Sequence, residues 1–282
     1  MSVSVSISMS MSNKGPIFMK RFKFIICCIV ILFAVPGLAA APSDVGIVLL
    51  HGKGGSPHFH ILEKFASRMA DKGYAVAAPQ LPWAGTKGKA DYSGDLTDAF
   101  NILDTEIEKL KASGRKTIVL VGHSMGTPAA LAYAGAHQEI AGVVGVAPGH
   151  LVGSQFHNKF VFFDVRKARE SVSKGAREEL VSVEDYNSGN RRFQLNVRAK
   201  DYLSFFDPEG PFNFESVLRS IGKVPFLWIA PNADGVTTSG QASEYFSKAP
   251  KNPISKFVDV EAEHVNAPLK SIKEIHAWLS EL

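Results

Sequence analysis

Thr117-Ile118-Val119-Leu120-Val121-Gly122-His123-Ser124-Met125-Gly126 decides the fold of this 282-residue chain. A short apolar strand runs straight into Gly-x-Ser-x-Gly, and an alanine-rich helix pattern follows from Thr127 to Ala136. Strand, tight turn and helix in that order are what a nucleophile elbow requires. Side chains at 122 and 126 would collide with neighbouring backbone in so sharp a turn, so glycine is expected at both. Ser124 is thereby exposed at the end of the strand and the start of the helix. A chain with 24 glycines can carry the same five-residue pattern in a loop by chance. The flanking strand and helix argue against that reading.

A serine hydroxyl is a weak nucleophile at neutral pH and needs a base, which in turn needs an orienting acid. After an elbow the partners follow in the order Ser, Asp or Glu, His. Val224 to Ala230 reads as a buried strand, and Pro231-Asn232-Ala233-Asp234-Gly235 leaves its end, which puts Asp234 where an acid is needed. Lys256 to Val260 reads as a further strand, with His264 in the loop after it as the candidate base. The final helix is expected near Pro268, with Leu269, Ile272, Ile275 and Leu279 on one side. Asp259 lies within its strand and is expected to face solvent, and His123 is too close to Ser124 in sequence to reach across to it. His58 and His60 form an H-x-H pair without a cysteine or carboxylate cluster nearby, so no metal site is expected. Val45 to Leu50 is another strand, ending in His51-Gly52-Lys53-Gly54-Gly55. A phosphate-binding loop is the competing reading there, but Lys53 falls between the glycines rather than after the second one.

Taken together, His51-Gly52-x-Gly54-Gly55, Gly122-His123-Ser124-Met125-Gly126, Asp234 and His264 resemble the α/β-hydrolase superfamily over most of residues 45–282. The resemblance is to a small, serine esterase- or lipase-like member. It implies a mostly parallel sheet flanked by helices and Ser-Asp-His transfer of an acyl group to water. It also implies an oxyanion hole of backbone N–H groups, here those of Lys53 (with Gly54 in second place) and Met125. No cofactor is implied. The two antiparallel strands that usually open the fold have no sequence to occupy, so about six strands are expected.

The rest of the chain supports an α/β class independently. Strand and helix patterns alternate as 45–50, 58–72, 74–79, 95–112, 116–122, 125–136 and 140–147, the rhythm of βαβ units. In the 95–112 helix, Leu96, Ala99, Phe100, Leu103, Ile107 and Leu110 share a face, and Gly114 supplies a stop. The rhythm breaks over residues 151–215, which hold ten basic and ten acidic residues and eleven phenylalanines and tyrosines. Val165 to Leu180 reads as a charged helix. The segment falls between the core pieces 41–150 and 216–282, where the superfamily often places a cap. Phe205 and Phe206 are expected to line an apolar acyl pocket beneath it.

Met19-Lys20-Arg21-Phe22-Lys23, an apolar run from Phe24 to Val35, and Pro36 to Ala40 form a signal-peptide pattern over 19–40. Residues 1–18 read as an upstream extension. The apolar run is shorter than the roughly twenty residues of a spanning helix, so membrane attachment is expected only through an uncleaved leader. Residues 1–40 contain four basic residues and no acid, which leaves 27 basic and 27 acidic residues in the mature chain. Nucleic-acid binding has no support in that balance. Both cysteines, Cys27 and Cys28, depart with the leader, so the mature chain has no disulfide, and about 240 residues bury enough core without one. The sequence therefore predicts a periplasmic or secreted serine hydrolase acting on a small-molecule acyl ester or thioester. A serine aminopeptidase-like enzyme is the nearest alternative, with Glu184, Asp185, Asp201 or Asp207 conceivable as amine-holding carboxylates. A non-catalytic hydrolase-fold binding protein is the alternative from another class.

Overall fold

The structure, a computed structural model, describes residues 40–187 and 191–282, all within the unit Leu38–Leu282. The upstream extension and the leader up to residue 39 lie outside the described residues. The chain builds β1 (Val45–Leu50), α1 (His60–Ala70), β2 (Ala75–Ala77) and a small hairpin of β3 (Gly85–Thr86) and β4 (Lys89–Ala90). It continues through α2 (Leu96–Ala112), β5 (Thr117–His123), α3 (Gly126–Ala136) and β6 (Gly142–Val146). After the intervening segment come β9 (Phe226–Ala233), α7 (Ser239–Ser247), β10 (Lys256–Glu263), α8 (Ala267–Lys270) and α9 (Ile272–Leu279). Six strands pair in the order β10-β9-β6-β5-β1-β2, and every pairing is parallel.

Strand periodicity divides the core into two layers. Val45, Ile47 and Leu49 of β1 point to the face covered by Leu62, Phe65 and Met69 of α1 and by Ile275 and Leu279 of α9. Val48 and Leu50 point the other way, toward Ala99, Leu103 and Ile107 of α2 and the alanines of α3. A sheet buried on both faces reads as continuous apolar runs, which is why these strands were visible in the sequence. At the start of α2, Asp95 and Asp98 form a reciprocal capping box that closes the helix end. The chain runs outward from β1 to β2 and then returns past β1 to β5 on its other side. That reversal opens a crevice at the carboxyl ends of β1 and β5, the usual ligand position in an open parallel sheet.

The segment between the core pieces departs from its expected form. Its helix, α4 (Gln155–Ser173), begins ten residues earlier than Val165 and ends at Ser173. Ser154 caps it by accepting from the His157 N–H at 3.1 Å, and Gly175 stops it with φ 81°. An antiparallel hairpin, β7 (Leu180–Asn187) and β8 (Arg191–Arg198), follows where no strand was expected. Then come α5 (Ala199–Phe206) and α6 (Phe214–Ser220), the latter packed on α3.

Candidate active site

The turn after β5 is as tight as the sequence required. A Cβ on Gly122 would lie 2.3 Å from the Gly126 carbonyl oxygen, and one on Gly126 would lie 2.3 Å from that of Leu50. Ser124 sits in the left-handed region at φ 53°, a conformation that costs a non-glycine residue roughly 1–2 kcal/mol. Its N–H is tied to the Val146 carbonyl at 3.0 Å. This strained, braced conformation turns the serine side chain out of the sheet and into the crevice.

Residues from three strand ends meet there. Ser124 Oγ lies 2.9 Å from His264 Nε2, and His264 Nδ1 lies 3.0 and 3.1 Å from the two oxygens of Asp234. Nδ1–H can donate only to the carboxylate, which leaves Nε2 with its lone pair toward the serine hydroxyl. Burial pushes Asp234 toward a higher pKa. The hydrogen bond and charge of His264, with the N–H groups of Val236 and Thr237, outweigh it and hold the carboxyl below its usual range. Asp259 is exposed on its strand, away from this arrangement.

The loop after β1 is anchored from 81 to 88. Leu81 N–H donates to His51 Nε2 at 3.1 Å, Trp83 Nε1–H donates to the His51 carbonyl at 2.8 Å, and Gly54 N–H donates to the Trp83 carbonyl at 2.9 Å. The Gly54 N–H is therefore committed. The N–H groups of Lys53 and Met125 have no hydrogen-bond partner among the described residues, and Met125 stands at the N-terminus of α3. Two amide donors, one beside the serine and one in the facing loop, can hold an anion.

Two histidines have work the sequence did not suggest. His123, buried in the elbow, donates Nε2–H to the His264 carbonyl at 3.0 Å and so fixes the loop that carries His264. His51 donates Nδ1–H to the Gly52 carbonyl at 2.9 Å while accepting from Leu81. Burial lowers their pKa values, to about 3 for His123 and about 4 for His51, so both stay neutral at pH 7. His58 is exposed and meets Glu63 at 3.2 Å. His51, His58 and His60 belong to no metal-holding group among the described residues.

The cleft over the serine has a volume of about 530 Å³. Gly52 to Ser56, Gly85 to Gly88, His123 and His264 form most of its wall, with Phe59, Leu62 and Val265 as its apolar patches and Asn187 and Arg191 at the hairpin tip. The expectation for Phe205 and Phe206 fails here. Phe205 is wholly buried against Trp83 and Phe212, and Phe206 is stacked on Tyr202 at 4.4 Å, so both pack the segment onto the core. The four carboxylates considered for an amine are engaged elsewhere: Asp185 with Lys53, Asp201 with Arg198, Asp207 with Arg169, and Glu184 with Tyr186 and Arg192. Among the described residues, no acid lines the cleft.

A sequence model of the alpha/beta hydrolase family matches residues 47–249, and the chain belongs to that family. Among solved structures it is similar to a chain from LipS and LipT, two metagenome-derived lipolytic enzymes, at 19% identity and TM-score 0.60, covering 87% of this chain and 97% of that one. A monoacylglycerol lipase of Paleococcus ferrophilus matches at 21% identity and TM-score 0.61 over 86% of this chain and 96% of the lipase. An esterase of Pyrococcus furiosus matches at 19% and 0.57 over 85% and 83%. These identities speak to the fold. A search of curated protein sequences found no match.

Proposed function

We propose that this protein is an exported serine hydrolase that cleaves a carboxylic ester or thioester through an acyl-enzyme. The observation that carries the reading is the hydrogen-bonded line from Ser124 through His264 to Asp234, set beside two unengaged N–H donors. Ser124 Oγ attacks the substrate carbonyl while His264 Nε2 takes its proton, and Asp234 stabilises the imidazolium. The N–H groups of Lys53 and Met125 receive the charge that develops on the carbonyl oxygen, each donor worth on the order of 3 kcal/mol in the transition state. His264 returns the proton to the departing alcohol or thiol. Water, deprotonated by the same imidazole, then releases the acid and restores the serine. No metal or cofactor enters this scheme.

An ester fits better than a peptide with a free amine, because the cleft offers an ammonium no carboxylate among its described residues. Apolar contact would come from Phe59, Leu62 and Val265. Export rests on the signal-peptide pattern over 19–40. The test is labelling with a fluorophosphonate, followed by turnover of p-nitrophenyl esters and aminoacyl anilides. We expect stoichiometric labelling at Ser124, none in Ser124→Ala, and ester cleavage faster than anilide cleavage. A label on another serine removes the mechanism, and faster anilide cleavage removes the substrate class.

A further inference from the structure

Three phenylalanines stand in water on one helix of the segment between the core pieces. Phe156 and Phe163 are each 70% exposed and Phe162 is 58% exposed. All belong to α4, whose inner side, Val161, Val165 and Ala168, is buried. At helical spacing Phe156, Phe160 and Phe163 form one outward stripe. The Phe160 ring lies 4.6 Å from that of Phe156 and 4.6 Å from that of Tyr186. Tyr186 adjoins Asn187, which lines the cleft, so the aromatic stripe reaches the mouth of the site.

An exposed patch of this kind calls for a partner, and the charges beside it indicate which. Lys159 and Arg166 are exposed on the same side, and neither has an acid within ion-pair distance among the described residues. Arg166 lies 5.7 Å over the Phe163 ring. The two acids of this helix, Asp164 and Glu170, are each paired already, with Lys167 and Lys174. We propose that α4 docks the protein, phenyl rings first, onto an anionic phospholipid bilayer, with the cleft mouth turned toward the lipid. The rings enter the boundary between headgroups and acyl chains, while Lys159 and Arg166 remain among the phosphates. A symmetric second copy suits the face less well, since it would set these cations against themselves. The docking does not depend on the catalytic reading, and it adds a membrane contact distinct from the leader.

The first measurement is co-sedimentation of the full chain with vesicles of phosphatidylcholine containing one-fifth phosphatidylglycerol. Phe156→Ser/Phe162→Ser/Phe163→Ser should weaken partitioning about a hundredfold or more. Lys159→Glu or Arg166→Glu should weaken it about fivefold or more each on these vesicles, and hardly at all on neutral ones. Fluorophosphonate labelling of all these variants should match that of the unaltered protein, which separates failed docking from failed catalysis. The second measurement reads the patch itself whatever else holds the chain on the membrane. Phe163→Trp should shift its emission to the blue and be quenched by brominated lipid, whereas native Trp83, Trp228 and Trp278 are buried out of reach. If the indole introduced by Phe163→Trp stays unquenched, or its emission is already blue before vesicles are added, the proposal is overturned in favour of a protein partner or the chain's own leader. A dimer in solution that the triple serine variant turns into a monomer would overturn it in favour of a second copy.

Discussion

Asp234 must remain charged with only 2% of its side chain in water, and it does so because His264 and two backbone N–H groups face it. Asp234→Asn would keep the shape and remove the charge. The amide would also present N–H toward Nδ1 and drive the imidazole proton to Nε2, where it blocks acceptance from Ser124. We expect kcat to fall on the order of 10⁴-fold. Asp259→Asn, on an exposed strand position, should change kcat by no more than about twofold. Comparable losses from the two substitutions would end the assignment of Asp234. Ser124, Asp234 and His264 were legible in sequence because the elbow fixes one of them and strand ends fix the others. His51 and His123 were not. Their roles depend on the Leu81 N–H and on the His264 carbonyl, 30 and 141 residues away, and a lone histidine carries no sign of such a partner.

At the scale of elements, the parallel core was legible because its strands are buried on both faces and its helices keep a 3.6-residue period. The hairpin was not legible, for a physical reason. Val181 and Val183 alternate into the core as a strand should, but the next inward position is Asp185, fully buried, which breaks the apolar pattern. Asp185 is tolerated there because Lys53 Nζ meets it at 2.7 Å and also donates to the Tyr186 carbonyl. The helix α4 was misplaced because its first nine residues carry three exposed phenylalanines where a soluble helix carries polar residues. The Lys53–Asp185 pair therefore ties β7 to the loop that carries the unengaged Lys53 N–H. Lys53→Met would strand a buried carboxylate and should destabilise the fold by about 3–5 kcal/mol, while Lys53→Met/Asp185→Leu should recover most of that loss. Without the tether the Lys53 N–H is less well aimed. The double variant should therefore keep kcat depressed on the order of tenfold, short of the 10²–10³ for losing a donor outright. Urea unfolding beside ester turnover checks both halves. Full recovery of kcat with stability would leave the pair a purely structural one.

For the molecule as a whole, buried neutral histidines set the response to acid. Burial lowers His51 to about 4 and His123 and His157 to about 3, and it takes His150 well below its ordinary value. The ordinary value of 6.5 applies once the chain unfolds. Between 6.5 and these folded values the unfolded chain binds protons that the folded chain refuses. Stability is thus complete above pH 6.5 and is lost as pH falls toward 3. At pH 5 each of His51, His123 and His157 removes on the order of 2 kcal/mol. Asp234 acts in the same direction in a lower window, since a carboxyl held below 3.8 contributes stability that disappears as pH drops through its folded value. Three such histidines together rival the whole stability of an ordinary domain, about 5–15 kcal/mol. The protein should accordingly lose Tm steeply between pH 6.5 and 5. His157 offers the cleanest dissection, because its ring nitrogens bond no backbone group, whereas those of His51, His123 and His150 each do. His157→Phe should leave Tm at pH 8 nearly unchanged and raise it at pH 5, by several degrees if it restores about 2 kcal/mol in a domain of this size. Calorimetric scans across that range decide it: a Tm that stays level down to pH 5 in the unaltered protein, or a His157→Phe curve parallel to it, would mean that these histidines take up protons without unfolding the chain.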